Sequence, residues 1–415
     1  MHTVHFTTAS IATTPPTPTQ RSLKQFYELA TAPFQRISLA QLLEFGSAEN
    51  LSEKTLIRSA QWLWTEMPTR LARQGFCFRS PLANRTMLAL ITKLAVVTLD
   101  RLPHGLCLMP SIRSLREHYV RSFDEITGCV KPLTWQDCLE FTKAADRIVE
   151  RHGKLFSFVA KGMFELQQEI SRYRAPSDLD ILVQSSDLNQ QLDSFYNTRI
   201  GVRMLLGQHV ALVRDFANGA VQRDIVGLIH RRCSPTDIAR DAIDTATAVC
   251  RDATGTAPDV KLKSVSDNLA FPYVPSHLHY MLCEILKNAM RATVDTAQAK
   301  KASDLPPIVV IVAHSDENED VAIKIGDQGG GIRRSDVPKI WSYLYSTAQL
   351  DARTFIQDID GSTGAGPLAG LGYGLPISRL HARYFGGELN VASMEGYGTD
   401  AFLYLRRLGD SVAPF

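Results

Sequence analysis

Apolar residues in the first half of the chain recur at helical rather than strand spacing. Phe26, Leu29, Leu39, Leu42, Leu43, Leu56, Trp62 and Leu63 anchor a helical pattern from Lys24 to Glu66, which Pro33 interrupts. Further helices are predicted from about Ser111 to Ile126, from Trp135 through Lys161 to Arg174, and from Asp178 to Leu212. No strand-like alternation of any length separates them, so residues 24–230 are expected to form a helical bundle.

Near Arg231 to Pro235 the pattern changes, and residues 231–407 mix strands with helices. Leu278, Leu282, Ile285, Ala289 and Ala292 define an amphipathic helix from Pro275 to Val294, with Ser276 as its expected N-cap. Ile308 to Ala313 and Val321 to Ile325 read as strands on either side of the acidic turn Asp316 to Asp320. A helix from about Asp336 to Leu344 follows. The stretch to Ala369, holding several Gly, Ser, Thr and Asp residues, reads as a mobile lid. A helix from Ile377 to Phe385 and a hairpin of Glu388 to Ser393 with Asp400 to Leu405 complete the pattern. The fold class is thus a helical bundle followed by an α/β domain.

Composition narrows the setting. The 415 residues leave room for two domains, and 45% hydrophobic with 21% charged residues is the balance of a soluble globular chain. A net charge of +2 supplies no whole-protein field for nucleic acid. The 7 cysteines are scattered without a CxxC pair, which favours thiols in a reducing compartment over disulfides or zinc. Thr86 to Leu99, the longest apolar candidate, is too short to span a membrane and carries Lys93. The start of the chain lacks acids and is rich in Ser, Thr and Pro, so residues 1–23 read as a transit peptide or a disordered tail.

Candidate chemistry sits on the polar stripe of the Pro275 helix. Glu284, Lys287, Asn288 and Arg291 occupy i, i+3, i+4 and i+7, one face of a helix. An Asn oxygen is a hard neutral ligand suited to Mg²⁺ beside a triphosphate, the carboxylate can deprotonate a hydroxyl, and the cations can offset phosphate charge. The competing reading is a solvated face with salt-bridge spacing. Asp327 follows a strand and precedes Gly329, Gly330 and Gly331, so its carboxylate can accept from an exocyclic amine while the glycines let backbone approach a ligand; a plain turn is the alternative. Gly370-Leu371-Gly372-Tyr373-Gly374-Leu375 runs into a helix and exposes backbone N–H groups to phosphate. No GK[ST] follows, so this is not a Walker A loop. In the bundle, Arg199 and Arg203 lie one turn apart and could grip a carboxylate or phosphate, or could pair with acids such as Asp193.

In this order the motifs resemble the α/β-sandwich ATP-binding fold of histidine kinases, type II topoisomerases, Hsp90 chaperones and MutL proteins. Within it, Phe195 to Leu205, Val274 to Asp295, Tyr345 to Ala348 and Gly370 to Leu405 are similar to the mitochondrial pyruvate dehydrogenase kinases and their branched-chain 2-oxoacid dehydrogenase kinase relatives. The resemblance implies that Glu284 is the general base for a serine hydroxyl, and that Asn288 holds Mg²⁺ with Lys287 and Arg291 flanking the nucleotide. It implies that Asp327 recognises adenine, with Gly329, Gly331 and Thr399 nearby, and that Ser346 and Thr347 contact the nucleotide. Gly370, Leu371, Gly372, Tyr373, Gly374 and Leu375 would cradle phosphate, and His152, Arg199 and Arg203 would line a pocket for a small carboxylate effector. ATP and Mg²⁺, with K⁺ as a further ion, are the implied cofactors. The implied partners are the E1α subunit, which is phosphorylated on serine and switched off, the lipoyl domain of the E2 core, and a second copy of the chain. The implied place is the mitochondrial matrix.

The chain also departs from that pattern. Tyr280, beside His279, stands where the family often has His, Val149 and Lys154 replace a frequent Arg and Asp, Gly75 to Leu99 has no counterpart, and residues 408–415 form a short tail. None of the 11 histidines precedes an acid, which removes the usual acceptor of an autophosphorylating histidine kinase. A branched-chain E1 as substrate, a plain ATPase and a non-catalytic scaffold are the competing readings.

Overall fold

The computed structural model describes residues 37–73, 106, 108–153, 155–173, 186–265, 269–302, 304–314, 320–343, 345 and 372–407. Residues 1–23, Gly75 to Leu99, Lys154, Ser346, Thr347, the predicted lid to Ala369, Gly370, Leu371 and residues 408–415 lie outside them.

The bundle is built from α1 (Leu39–Phe45), α2 (Glu53–Arg73), α3 (Pro110–Gly128), α4 (Trp135–Gly153), α5 (Phe156–Tyr173) and α6 (Ser186–Ala217). Ser38 and Gln41 exchange side-chain to backbone hydrogen bonds and start α1 as a capping box. On α2, Leu56, Ala60, Leu63, Met67 and Leu71 fall at three- and four-residue spacing and are fully buried. The 32 residues of α6 extend about 48 Å and bury Leu192, Phe195, Val202, Leu206 and Val213. His209 ties three helices together, with Nδ1 at 3.0 Å from Ser59 Oγ and Nε2 at 3.0 Å from Thr142 Oγ1. The stretch expected to be one helix from Trp135 to Arg174 is two, because the chain breaks after Gly153 and buries Leu155 in the gap.

Strands begin before residue 231. β1 (Ile225–Val226), β2 (Ile229–Cys233) and β4 (Phe271–Tyr273) form a small antiparallel sheet. Gln208 of α6 clamps its hairpin, donating to Val226 O at 2.8 Å and accepting from Leu228 N at 2.8 Å. The larger sheet has the order β3-β5-β6-β8-β7, from β3 (Val260–Ser264), β5 (Ile308–His314), β6 (Asp320–Gly326), β8 (Gly398–Arg406) and β7 (Glu388–Met394). Among the described strands, only β3 and β5 run parallel. Alternate residues Val310 and Val312, Ile323 and Ile325, and Leu403 and Leu405 enter one core with α7 (Pro235–Thr254), α8 (Pro275–Lys300) and α9 (Gly374–Tyr384).

Two local expectations need correction. The α8 cap is Val274 rather than Ser276, because Pro275, which has no N–H to cap, takes the first turn. The predicted helix from Asp336 to Leu344 is a short 3₁₀ helix, Val337–Trp341, in which Ser342 N returns to Lys339 O. Among the described residues, no helix is long and apolar enough to cross a membrane.

Candidate active site

The interior face of α8 carries Leu278, Met281, Leu282, Ile285, Ala289 and Met290, all buried. Glu284 and Asn288 are half-buried at its edge. Gly374, the first residue of α9, meets the Glu284 carboxylate so closely that a Cβ there would collide with Oε2. The other oxygen, Oε1, is 2.6 Å from Lys287 Nζ. Lys287 is only 4% exposed, so the structure sets this cation against Glu284, while Arg291 pairs with Asp295 at 3.3 Å. Of the two residues one turn before Glu284, Tyr280 shares its surroundings: burial, with the Glu284 charge next, pushes the Tyr280 phenol well up, and its ring lies 5.1 Å from that of His381. His279 turns away to Thr245 and Cys283.

A second group of residues forms around Asp327. Its Oδ1 accepts from Gly329 N at 2.8 Å and from Thr399 N at 3.3 Å, and Asp327 N donates to Thr399 O at 2.9 Å. Burial raises the Asp327 carboxyl to about 6, against the pull of those two backbone donors. Gly329 lies flat on α8, where a Cβ would come within 2.6 Å of Ala292, and its carbonyl accepts from Thr296 Oγ1 at 2.7 Å. Gly331, at φ +71°, leaves no room for a Cβ beside Met394 O. The triple glycine therefore lets one loop be pressed between α8 and the β7–β8 turn.

Three residues of this group escaped the sequence reading. Ser393 Oγ accepts from Ile332 N at 2.7 Å and lies 3.0 Å from Thr399 Oγ1. Thr296 locks the glycine loop as above, and Gly398 sits directly on Asp327 O. The Gly-x-Gly-Thr spacing from Gly396 to Thr399 was the available signal for Gly398. Nothing in the pattern marked Ser393 or Thr296, whose partners are distant in sequence.

Gly372 has φ +76°, and a Cβ would lie 2.5 Å from Tyr345 O, so the chain on either side of the undescribed segment meets at this point. Tyr343 donates to Asp193 Oδ1 at 2.5 Å and its N–H donates to Asn189 Oδ1 at 3.3 Å, which joins the end of the 3₁₀ helix to α6. The ring of Tyr196 lies 5.4 Å from that of Tyr343 and 6.2 Å from that of Tyr373. Asp193 is thus the partner of Tyr343 and not of the bundle arginines.

Those arginines sit instead on the end of α4. Arg199 Nη2 donates to His152 O at 2.8 Å and Arg203 Nη1 to Val149 O at 2.7 Å, satisfying helix-end carbonyls. His152 is fully buried, with Nε2 3.0 Å from Ser122 Oγ. Burial, then Arg199 and Arg203, hold its imidazole well below the usual range. His152, Arg199 and Arg203 are therefore brought together at the end of α4.

The class of protein can now be compared with known families. Residues 273–408 match the family model described as histidine kinase-, DNA gyrase B- and HSP90-like ATPase, which makes this an ATP-binding domain of that fold. Residues 77–230 match the model described as mitochondrial branched-chain alpha-ketoacid dehydrogenase kinase. Over 380 residues the chain is 39% identical to the mitochondrial pyruvate dehydrogenase (acetyl-transferring) kinase of Arabidopsis thaliana, covering 91% of this chain and 92% of that one. The Drosophila melanogaster protein of the same name is 34% identical over 91% of this chain and 82% of its own. That of Schizosaccharomyces pombe is 33% identical over 93% and 96%. The chain belongs to the family of mitochondrial pyruvate dehydrogenase kinases.

Proposed function

We propose that this chain is an ATP-dependent protein serine kinase of the mitochondrial matrix that phosphorylates the E1α subunit of the pyruvate dehydrogenase complex and so inactivates it. The observation that carries the reading is the contact of the Glu284 carboxylate with Gly374 at the start of α9, one helical turn from Asn288. Glu284 takes the proton of the serine hydroxyl, its Oγ forms a bond to the γ-phosphorus, and the bond to the β–γ bridging oxygen breaks to release ADP. The N–H groups from Gly372 to Leu375 face the phosphates, with Gly370 and Leu371, outside the described residues, assigned to the same loop by the family pattern. Asp327 and Thr399 receive the adenine and Arg291 adds positive charge; Ser346 and Thr347, outside the described residues, are the further nucleotide contacts that the family pattern implies. Among the described residues, no three His, Cys, Asp or Glu side chains converge to cage a metal. Asn288 would hold Mg²⁺ together with the phosphates, because its amide oxygen is a hard neutral donor that suits the ion. Bound there, Mg²⁺ would neutralise charge on the transferring group.

His152, Arg199 and Arg203 form the candidate pocket for a small carboxylate. The homodimer and the lipoyl-domain contact belong to the same reading. A branched-chain E1 is the second substrate to test, because the model matching residues 77–230 bears that name. The test is to incubate the full chain with γ-labelled ATP, Mg²⁺ and either E1 on its lipoyl-bearing core, then locate the label. Label on E1α serine is expected, stronger with the pyruvate enzyme. Glu284→Gln is expected to bind ATP and lose transfer. ATP binding without label on either E1 would point to a scaffold, and label on a histidine of the chain itself to a histidine kinase.

A further inference from the structure

We propose that Lys287 is a positioning residue that fixes the Glu284 carboxylate for proton abstraction, and is not a ligand of the nucleotide phosphates. The inference rests on Glu284 being the base. The two residues stand at i and i+3 on α8, so the helix delivers the ammonium to its neighbour without help from the rest of the fold. Lys287 Nζ lies 2.6 Å from Glu284 Oε1, and the lysine is 4% exposed. An ammonium this far from water is sustained only by close pairing, and one that reached for phosphate would have to open to the site.

The other side of the carboxylate is fixed by a different element. A Cβ at Gly374 would collide with Oε2 where it stands, so the glycine leaves that oxygen its place against α9. The terminal torsion of a glutamate is otherwise soft and broadly distributed. With Oε1 on the ammonium and Oε2 against the first residue of α9, that rotation is removed. Oε2 is then the oxygen outside the ion pair, next to the helix N-terminus at which phosphate is expected, and it is the atom that accepts the serine proton. Lys287 and Gly374 act on the base from two elements, so that its geometry is set before ATP or E1 arrives.

The test uses the full chain with E1 on its lipoyl-bearing core and ATP with Mg²⁺. Lys287→Met is expected to lower kcat by up to about 100-fold, the scale of loss for a misplaced catalytic group, with the Kd for ATP unchanged within about threefold. Lys287→Arg, which keeps the cation, is expected to recover most of the rate. In the Glu284→Gln background, Lys287→Met is expected to cause no further loss. Should Lys287→Met alone fail to fold, the double variant leaves neither charge unpaired, and its Kd for ATP supplies the same decision. A Kd raised tenfold or more in either Met variant, with kcat kept in Lys287→Met, overturns the proposal by making Lys287 a phosphate ligand. Near-normal transfer by Glu284→Gln would instead overturn the assignment of the base, whatever Lys287 does.

Discussion

Asp327 joins burial to recognition in one side chain. Its carboxyl is raised to about 6 by burial, yet it is the ionised form that accepts from an amine most strongly. About nine-tenths of it is ionised at pH 7 and about one-tenth at pH 5, so the Kd for ATP is expected to rise about tenfold between them. Isothermal titration at the two pH values checks this. Asp327→Asn, weaker throughout, should lack that rise and so corrects for titration of the nucleotide itself. The effect on stability has the opposite sign. A carboxyl whose folded pKa lies above its unfolded one favours the fold as pH falls through 6, so weaker binding at pH 5 is no symptom of unfolding here. Much at this scale was legible: helical spacing set Glu284 and Asn288 on one face, and position after a strand marked Asp327. The burial of Lys287 was not, nor was the choice of Tyr280 over His279, which is made by Thr245 of α7 and His381 of α9.

At the scale of elements, the glycines separate conformation from contact. Gly255 ends α7 at φ +76° with nothing within 4 Å of where its Cβ would be, whereas Gly331, at φ +71°, is closed off by Met394 O. Gly255→Ala is therefore expected to cost about 1–2 kcal/mol, the price of a left-handed residue alone. Gly331→Ala should cost at least about 3 kcal/mol, because backbone has to move as well. Urea denaturation of both variants measures the difference, and equal costs would mean that the loop is not pressed between α8 and the hairpin. The same logic explains which elements could be read. Long alternating strands such as β5, β6 and β8 declared themselves within a residue or two. β1 and β4, at two and three residues, are too short to show a period, and pairing with β2 is what makes them strands. The Trp135 helix ends early where Leu155 turns into the core and Arg199 and Arg203 of α6 take up carbonyls near its end, tertiary contacts without a local signal.

At the scale of the whole molecule, burial holds the imidazoles of His152 and His209 in the bundle, and of His277 and His381 where α8 meets α9, below their ordinary value. His209 is brought down to about 4 by burial, and His381 to about 4 by burial with Arg199 and Arg203 against its bond to Ile377 O. His152 and His277 are held well below their ordinary value, again chiefly by burial. In the unfolded chain each would take a proton near 6.5, so the unfolded state binds more protons below that pH. Stability that is complete above about pH 6.5 is therefore lost as pH falls toward 4. For His209, 1% exposed, the loss at pH 5 is on the order of 2 kcal/mol, large beside a total of about 5–15 kcal/mol. Because His209 also bridges Ser59 and Thr142, His209→Gln should lower stability at pH 7, so the informative quantity is the slope. Between pH 6 and 5 the urea midpoint of His209→Gln should fall less steeply than that of the parent, by about one proton in the linkage. Parallel slopes would show that His209 already carries its proton in the fold, and that the bundle core tolerates a charge at the centre of α2, α4 and α6.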